Sequence, residues 1–277
     1  MRIAVVAPSK RFKDDAEVDD VIARVTAIAA AAHPGAEVRF HAQCRLRHGH
    51  FAGTDARRLE ALVEVANDPS VDAVWLARGG YGSNRIAERA IAAMGPGARD
   101  KAWLGYSDAG FLLAGLYRAG FPKLAHGPMP RDVLDGDEPV ERALAWLVER
   151  SPEALEPNVE ADTPYAAFNI TVLSHLLGTP LEPDLSGHVL LLEDLSEPLY
   201  RIDRAMFHIM SSPLGRALGG IRLGRIDAPD NDPDFGESAE QIARFWCDRA
   251  GVPFLMGEAE IGHYSGNKVV PFGPLWT

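Results

Sequence analysis

The sequence predicts an α/β fold: an N-terminal domain with a mainly parallel sheet flanked by helices, followed by a smaller mixed α/β C-terminal domain. Three observations predict it. Short apolar runs alternate with segments of helical spacing through the first 120 residues. Glycine- and serine-bearing turns close the apolar runs that begin at Val71 and Ala102. A polar, proline-bearing stretch then interrupts the pattern at Ser151-Pro-Glu-Ala-Leu-Glu-Pro-Asn158.

Ile3 to Ala7 is an uninterrupted apolar run, as expected of a strand covered on both faces. Asp15 to Ala32 places Val18, Val21, Ile22, Val25 and Ile28 at helical spacing. A second strand, Glu37-Val-Arg-Phe40, follows the His33-Pro34-Gly35 turn, and Asp55 to Asn67 is helical, with Leu59, Leu62, Val63 and Ala66 on one stripe. Val71 to Ala77 forms a third strand, with a helix from Asn84 to Met94. Ala102 to Gly105 forms a fourth, followed by an apolar helix ending near Arg118. A further helix spans Glu138 to Arg150. The expected division is a domain over 1–150, a linker over 151–165 and a second domain over 166–277. In the last, helices are expected at Ile170 to Leu177 and Tyr200 to Ser211, and strands at His188 to Leu192 and Gly220 to Gly224.

Composition excludes several classes. The chain has 277 residues with 47% hydrophobic and 24% charged, which is globular rather than disordered. A net charge of -11 repels a phosphate backbone, so nucleic acid is not an expected partner. Cys44 and Cys247 stand far apart, outside any CxxC pattern, so neither a disulfide framework nor a thiolate metal site is expected. The apolar run before Pro8 is too short for a signal-peptide core, and none elsewhere approaches the roughly 20 residues of a membrane-spanning helix. A cytoplasmic location without membrane attachment is the expectation.

Several segments carry candidate chemistry. Gly105-Tyr-Ser-Asp108 puts Ser107 on a sharp strand-to-helix turn, where it is either a nucleophile or, with Asp108, a helix cap. Arg78-Gly-Gly-Tyr-Gly-Ser83 lets a backbone approach a ligand closely, or is simply a tight turn. It lacks the lysine of a phosphate-binding loop and the spacing of a dinucleotide fingerprint. Glu193 ends an apolar run and is suited either to orienting a histidine or to pairing with Arg201 or Arg204. His263 lies in a glycine turn, and His126 follows another strand end. His41, Cys44, His48 and His50 lack zinc-like spacing, so no metal and no cofactor is expected.

Taken in order, these segments resemble the LD-carboxypeptidase family, serine peptidases that include the microcin-immunity peptidases. Ala77 to Ser83 is similar to the family's glycine turn, Gly105 to Asp108 to its nucleophile turn, and His126-Gly-Pro-Met129 to the strand end after it. Leu191 to Arg204 is similar to its glutamate segment and Gly257 to Pro271 to its histidine segment. Phe168-Asn169-Ile170 departs from the Gly-Asn-Leu usual there.

The resemblance implies a triad of Ser107, Glu193 and His263 in a cleft between domains. On that footing the backbone N–H groups of Gly80 and Asp108 form an oxyanion hole. Arg78, Gly79, Tyr81, His126, Arg201 and Arg204 are candidates for contacting substrate, an arginine taking a terminal carboxylate. The implied substrate is a murein tetrapeptide that loses its terminal D-alanine during wall recycling, and a homodimer is implied as well. Two rival readings are a microcin-immunity-like peptidase for aminoacyl or peptidyl nucleotide conjugates and a non-catalytic small-molecule binder.

Overall fold

The computed structural model describes residues 1–276. In the first half, β1 (Arg2–Val6), α1 (Asp15–Ala32), β2 (Glu37–Phe40), α2 (Asp55–Asn67) and β3 (Ala73–Leu76) alternate as expected. They are followed by α3 (Ala87–Ala93), β4 (Ala102–Gly105), α4 (Gly110–Arg118), β5 (Leu124–His126) and α5 (Glu138–Glu149). The helix expected from Asn84 is instead a 3-10 turn over Ser83–Arg85 leading into α3.

The second half comprises β6 (Tyr165–Asn169), α6 (Ile170–Leu176), β7 (Val189–Leu195), α7 (Leu199–Ser211), α8 (Pro213–Arg216), β8 (Gly220–Asp227), α9 (Ala239–Ala250) and β9 (Val270–Pro271).

Six strands form one sheet in the order β2-β1-β3-β4-β5-β9, parallel except for β9. Alternate residues of its strands feed two different cores. Ile3, Val5, Trp75 and Leu104 pack with Val18, Val21 and Val25 of α1 and Val140, Leu144 and Leu147 of α5. Val6, Val74, Leu76 and Trp103 pack with Leu62 of α2, Ala87 of α3 and Leu112 and Leu116 of α4. Burial on both faces explains why these strands are unbroken apolar runs. A second sheet, β6-β7-β8, is also parallel.

The α2–α4 core continues into the second sheet through Phe168, Leu173 and Leu190. Gly110 of α4 is seated so closely that a Cβ there would lie 3.1 Å from Val172 and 3.3 Å from Phe168. The 151–165 stretch, expected as a linker, is anchored. Ala154 and Leu155 are buried, and Leu155 bridges Val269, just before β9 joins the first sheet. No helix among the described residues is long and apolar enough to cross a membrane.

β6, α8, α9 and β9 are elements that the sequence reading did not find. The start of α9 did carry a signal: Ser238 accepts from the Gln241 N–H while the Gln241 side chain accepts from the Ser238 N–H, a reciprocal cap.

Candidate active site

Parallel sheets gather ligand-binding loops at the carboxyl ends of their strands, especially where the strand order reverses. Here that reversal lies between β1 and β3. The turns after β1, β3 and β4 converge at this edge on one buried carboxylate. Asp108 accepts from the Gly82 N–H (3.1 Å), the Ser83 N–H (2.9 Å) and the Ser9 hydroxyl (2.5 Å). The Ser83 hydroxyl donates in return to the Asp108 carbonyl (2.6 Å).

Ser107 stands directly before that anchor. Its φ is +59°, left-handed backbone that a non-glycine residue adopts at a cost and that recurs at functional turns. The glycine turn presses against its side chain. A Cβ on Gly79 would lie 2.8 Å from both Cβ and Oγ of Ser107, so only hydrogen fits there. Gly80 has φ +115°, a conformation that L side chains rarely adopt.

The other side of the cleft comes from the second half of the chain. The β7–β8 register shifts between Leu192 and Asp194, and Glu193 shares by strand alternation the face of Leu191, which packs with Ala259 and Ile261. The fully buried Glu193 carboxylate lies 2.8 Å, through Oε2, from Nδ1 of His263. The alternative pairing is not formed: Arg201 lies 3.3 Å from Glu197, and Arg204 stacks over Tyr200.

His263 sits in a loop laced along β8, where the Ala259 N–H donates to the Leu223 carbonyl (2.7 Å) and the Arg225 N–H to the Ile261 carbonyl (2.9 Å). Arg142 of α5 holds the same loop by donating to the carbonyls of Ser265 (3.0 Å) and Asn267 (2.6 Å).

Burial alone would lower the His263 pKa. The Glu193 carboxylate, with Asp132 and Asp194 further off, outweighs it and holds the imidazole above the ordinary histidine value. Asp194 braces the arrangement by accepting from Asn169 (2.8 Å), the Thr171 N–H (3.0 Å) and the Thr171 hydroxyl (2.9 Å) at the start of α6.

Ser107, His263, Arg78, Gly79, Gly80, Tyr81 and Asp108 all line a single cleft of about 850 Å³. Arg78 is half-buried. It donates to the Arg11 carbonyl (2.7 Å), lies over the Phe12 ring, and has its pKa lowered by burial and by neighbouring Arg131.

Three expected contact residues stand elsewhere. Arg201 and Arg204 lie outside the lining. His126 is buried behind Tyr106, ring centroids 5.5 Å apart, where desolvation pushes its imidazole down to about 3. The cleft also contains Arg131, Asp132, Asp135, Asn169, His175 and Glu197, which sequence reasoning missed. Arg131, Asp132 and Asp135 lie on a 3-10 turn over Pro130–Asp135, Asn169 ends β6, His175 lies on α6 and Glu197 precedes α7. Asp132 and Asp135 lie three to six residues beyond the Gly127-Pro-Met129 segment already singled out.

Among the histidines and cysteine near residue 45, His41 caps a 3-10 turn by accepting from the Gln43 N–H (3.1 Å). Cys44 is buried, and desolvation pushes its thiol up to about 12.

The family models for the LD-carboxypeptidase N-terminal domain and the LD-carboxypeptidase C-terminal domain match residues 3–127 and 165–276. This chain belongs to the LD-carboxypeptidase family.

A probable murein peptide carboxypeptidase of Bacillus subtilis is 30% identical, over 98% of this chain and 86% of its own length. The crystal structure of muramoyltetrapeptide carboxypeptidase from Oxalobacter formigenes superposes with a TM-score of 0.80 at 25% identity, covering 99% of this chain and 93% of that one. MccF in complex with glutamyl sulfamoyl guanosine gives a TM-score of 0.77 at 16% identity, over 98% and 91% of the two chains, which is a likeness of fold. The LD-carboxypeptidase reading of the sequence is thereby borne out, and the enzyme is a carboxypeptidase. The two matched regions correspond to the two sheets, with β9 of the second region completing the sheet of the first.

Proposed function

We propose that this LD-carboxypeptidase uses a Ser107–His263–Glu193 triad to remove the terminal D-alanine from murein tetrapeptides during cell-wall recycling in the cytoplasm, acting as a homodimer. The observation that carries the reading is the His263–Glu193 hydrogen bond at 2.8 Å, in the cleft that also receives Ser107 from its left-handed turn.

With Nδ1–H donating to Glu193, Nε2 is free to accept the Ser107 proton as Oγ attacks the scissile carbonyl. The carbonyl oxygen becomes an oxyanion, held by the N–H groups of Gly80 and Asp108. One such donor is worth about 3–4 kcal/mol in serine hydrolases. His263 then passes its proton to the leaving amine of D-alanine, and water attacks the acyl-enzyme by the same base. Glu193 keeps the tautomer and stabilises the imidazolium.

Release of a single residue requires recognition of its carboxylate. We assign this to Arg78, the half-buried guanidinium on the glycine turn, in preference to Arg201 and Arg204, which stand outside the lining.

The test is D-alanine release from a tetrapeptide ending in L-diaminopimelate-D-alanine, with the all-L peptide and an aminoacyl nucleotide conjugate as parallel substrates. Release from the first alone is expected, with Ser107→Ala and His263→Ala each losing at least about 10³-fold in kcat. Undiminished release by Ser107→Ala would refute the mechanism. Cleavage of the nucleotide conjugate alone would replace the substrate assignment.

A further inference from the structure

Tyr106, the residue immediately before Ser107, packs its ring against the imidazole of His263, centroids 4.9 Å apart. It is the point at which the end of β4 meets the histidine loop. Tyr106 is buried, and its hydroxyl donates to Oδ1 of Asp132 at 3.3 Å. Asp132 is set in turn by its own turn, where Oδ2 accepts the Met129 N–H at 2.8 Å. A carboxylate bonded to a buried phenol thus lines the same cleft as the imidazole, and nothing in the triad accounts for it.

We propose that Asp132 is a positioning residue of the reaction: through the Tyr106 hydroxyl it seats the ring on which His263 rests, and its carboxylate lines the same cleft as that imidazole. The inference depends on His263 being the catalytic base.

The charged surroundings are compatible with this coupling. Asp132 is faced by His263 across the cleft, by Tyr106 and by Asp135 from its own turn, with Arg78 further off. His263 is faced by Glu193 and Asp194 from β7 and by His126 from β5. Burial pushes the Asp132 carboxyl up to about 6, against the pull of the Met129 N–H and His263. An ionised Asp132 favours the imidazolium, which is the form that His263 takes after accepting the Ser107 proton.

The test has two readouts on wild type, Asp132→Asn and Tyr106→Phe, with thermal melts followed by circular dichroism to establish folding. The first is an NMR titration of the His263 imidazole in the substrate-free enzyme, which needs no assumption about substrate. Its midpoint is expected to move to lower pH in Asp132→Asn.

The second is kcat and KM for D-alanine release from the tetrapeptide as a function of pH. In both variants kcat is expected to fall about tenfold while KM stays within about twofold, and the acidic limb of kcat/KM in Asp132→Asn moves down in pH. Should Asp132→Asn fail to fold, the kcat-against-KM split in Tyr106→Phe decides. An imidazole midpoint identical in wild type and Asp132→Asn, or losses confined to KM, would overturn the assignment. Activity retained by Ser107→Ala would instead sink the triad reading and leave the titration result standing.

Discussion

Replacing Asp108 with alanine should both destabilise the protein and disable it. The wild-type carboxylate is 2% exposed and satisfies the main-chain N–H groups of Gly82 and Ser83 and the hydroxyl of Ser9, all buried. A hydrogen bond to a charged acceptor contributes about 1.5–3 kcal/mol, and a buried donor left without a partner costs about as much as the bond it lost. Because the three donors share one acceptor, their losses do not simply add, and about 4 kcal/mol in total is the expected destabilisation.

Asp108→Asn should cost roughly half as much. Its amide oxygen can serve one main-chain N–H, but its NH₂ would then face the other. Urea unfolding of the three proteins reads this series directly. D-alanine release on the folded fraction reads the catalytic part, since the Gly79–Gly80 turn is registered against Ser107 through this anchor. A destabilisation under about 1 kcal/mol for Asp108→Ala would refute the claim that the carboxylate ties the three turns together.

Two further outcomes follow from the geometry. Gly79→Ala should leave the fold intact but cut kcat at least about 100-fold, because its Cβ would lie 2.8 Å from Ser107 Oγ and must displace it; wild-type kcat would show that the turn yields at no cost. Glu193→Gln should move the acidic limb of kcat/KM to lower pH, because the carboxylate that raises the His263 pKa is gone. The stability that His263 contributes through its raised pKa is present in full below the unfolded histidine value, about 6.5, and is lost as pH rises through the folded value. The proton-linked part of the stability gap between wild type and Glu193→Gln should therefore shrink with rising pH in urea titrations, and a gap that widened would contradict it.

Local order determined what was legible in the sequence. β1, α1 and α2 were readable because an unbroken apolar run and stripes such as Val18, Val21 and Val25 report directly on burial, and β2 because Glu37-Val-Arg-Phe40 alternates polar and apolar residues after a Pro-Gly turn. β6 was not, since its Tyr-Ala-Ala-Phe-Asn carries two small residues and its burial depends on β7 and on the approach of α4. β9 pairs across the chain with β5, a partnership without local signature in two residues.

The candidate site divides in the same way. Ser107, Glu193 and His263 stood out because five motifs occur in one order. The side-chain role of Asp108 was hidden, because its donors come from residues 9, 82 and 83. The rival partners of Glu193 could be separated only by geometry, which set Arg201 against Glu197.

The two sides of the cleft are held together by different means, which bears on how such a site keeps its geometry. On the sheet side, Ser107 carries a left-handed backbone costing on the order of 1–3 kcal/mol. Left alone, such a turn would relax and withdraw the side chain from Gly79. The turn is held at both ends: before it by Tyr106, bonded to Asp132, and after it by Asp108, with its three donors.

On the other side, His263 occupies a loop, which is inherently the softer element. Its rigidity comes from β8 beneath it, from Asn267, whose side chain accepts the Gly262 N–H at 3.2 Å, and from Arg142, which reaches it from the first half of the chain. β9 then follows the loop directly into the first sheet. The histidine loop is therefore tied to β8 of the second sheet on one flank and to α5 and the first sheet on the other. Contacts between the two halves of the chain thus reach close to the reacting groups, at the Tyr106 ring against His263 and at Arg142.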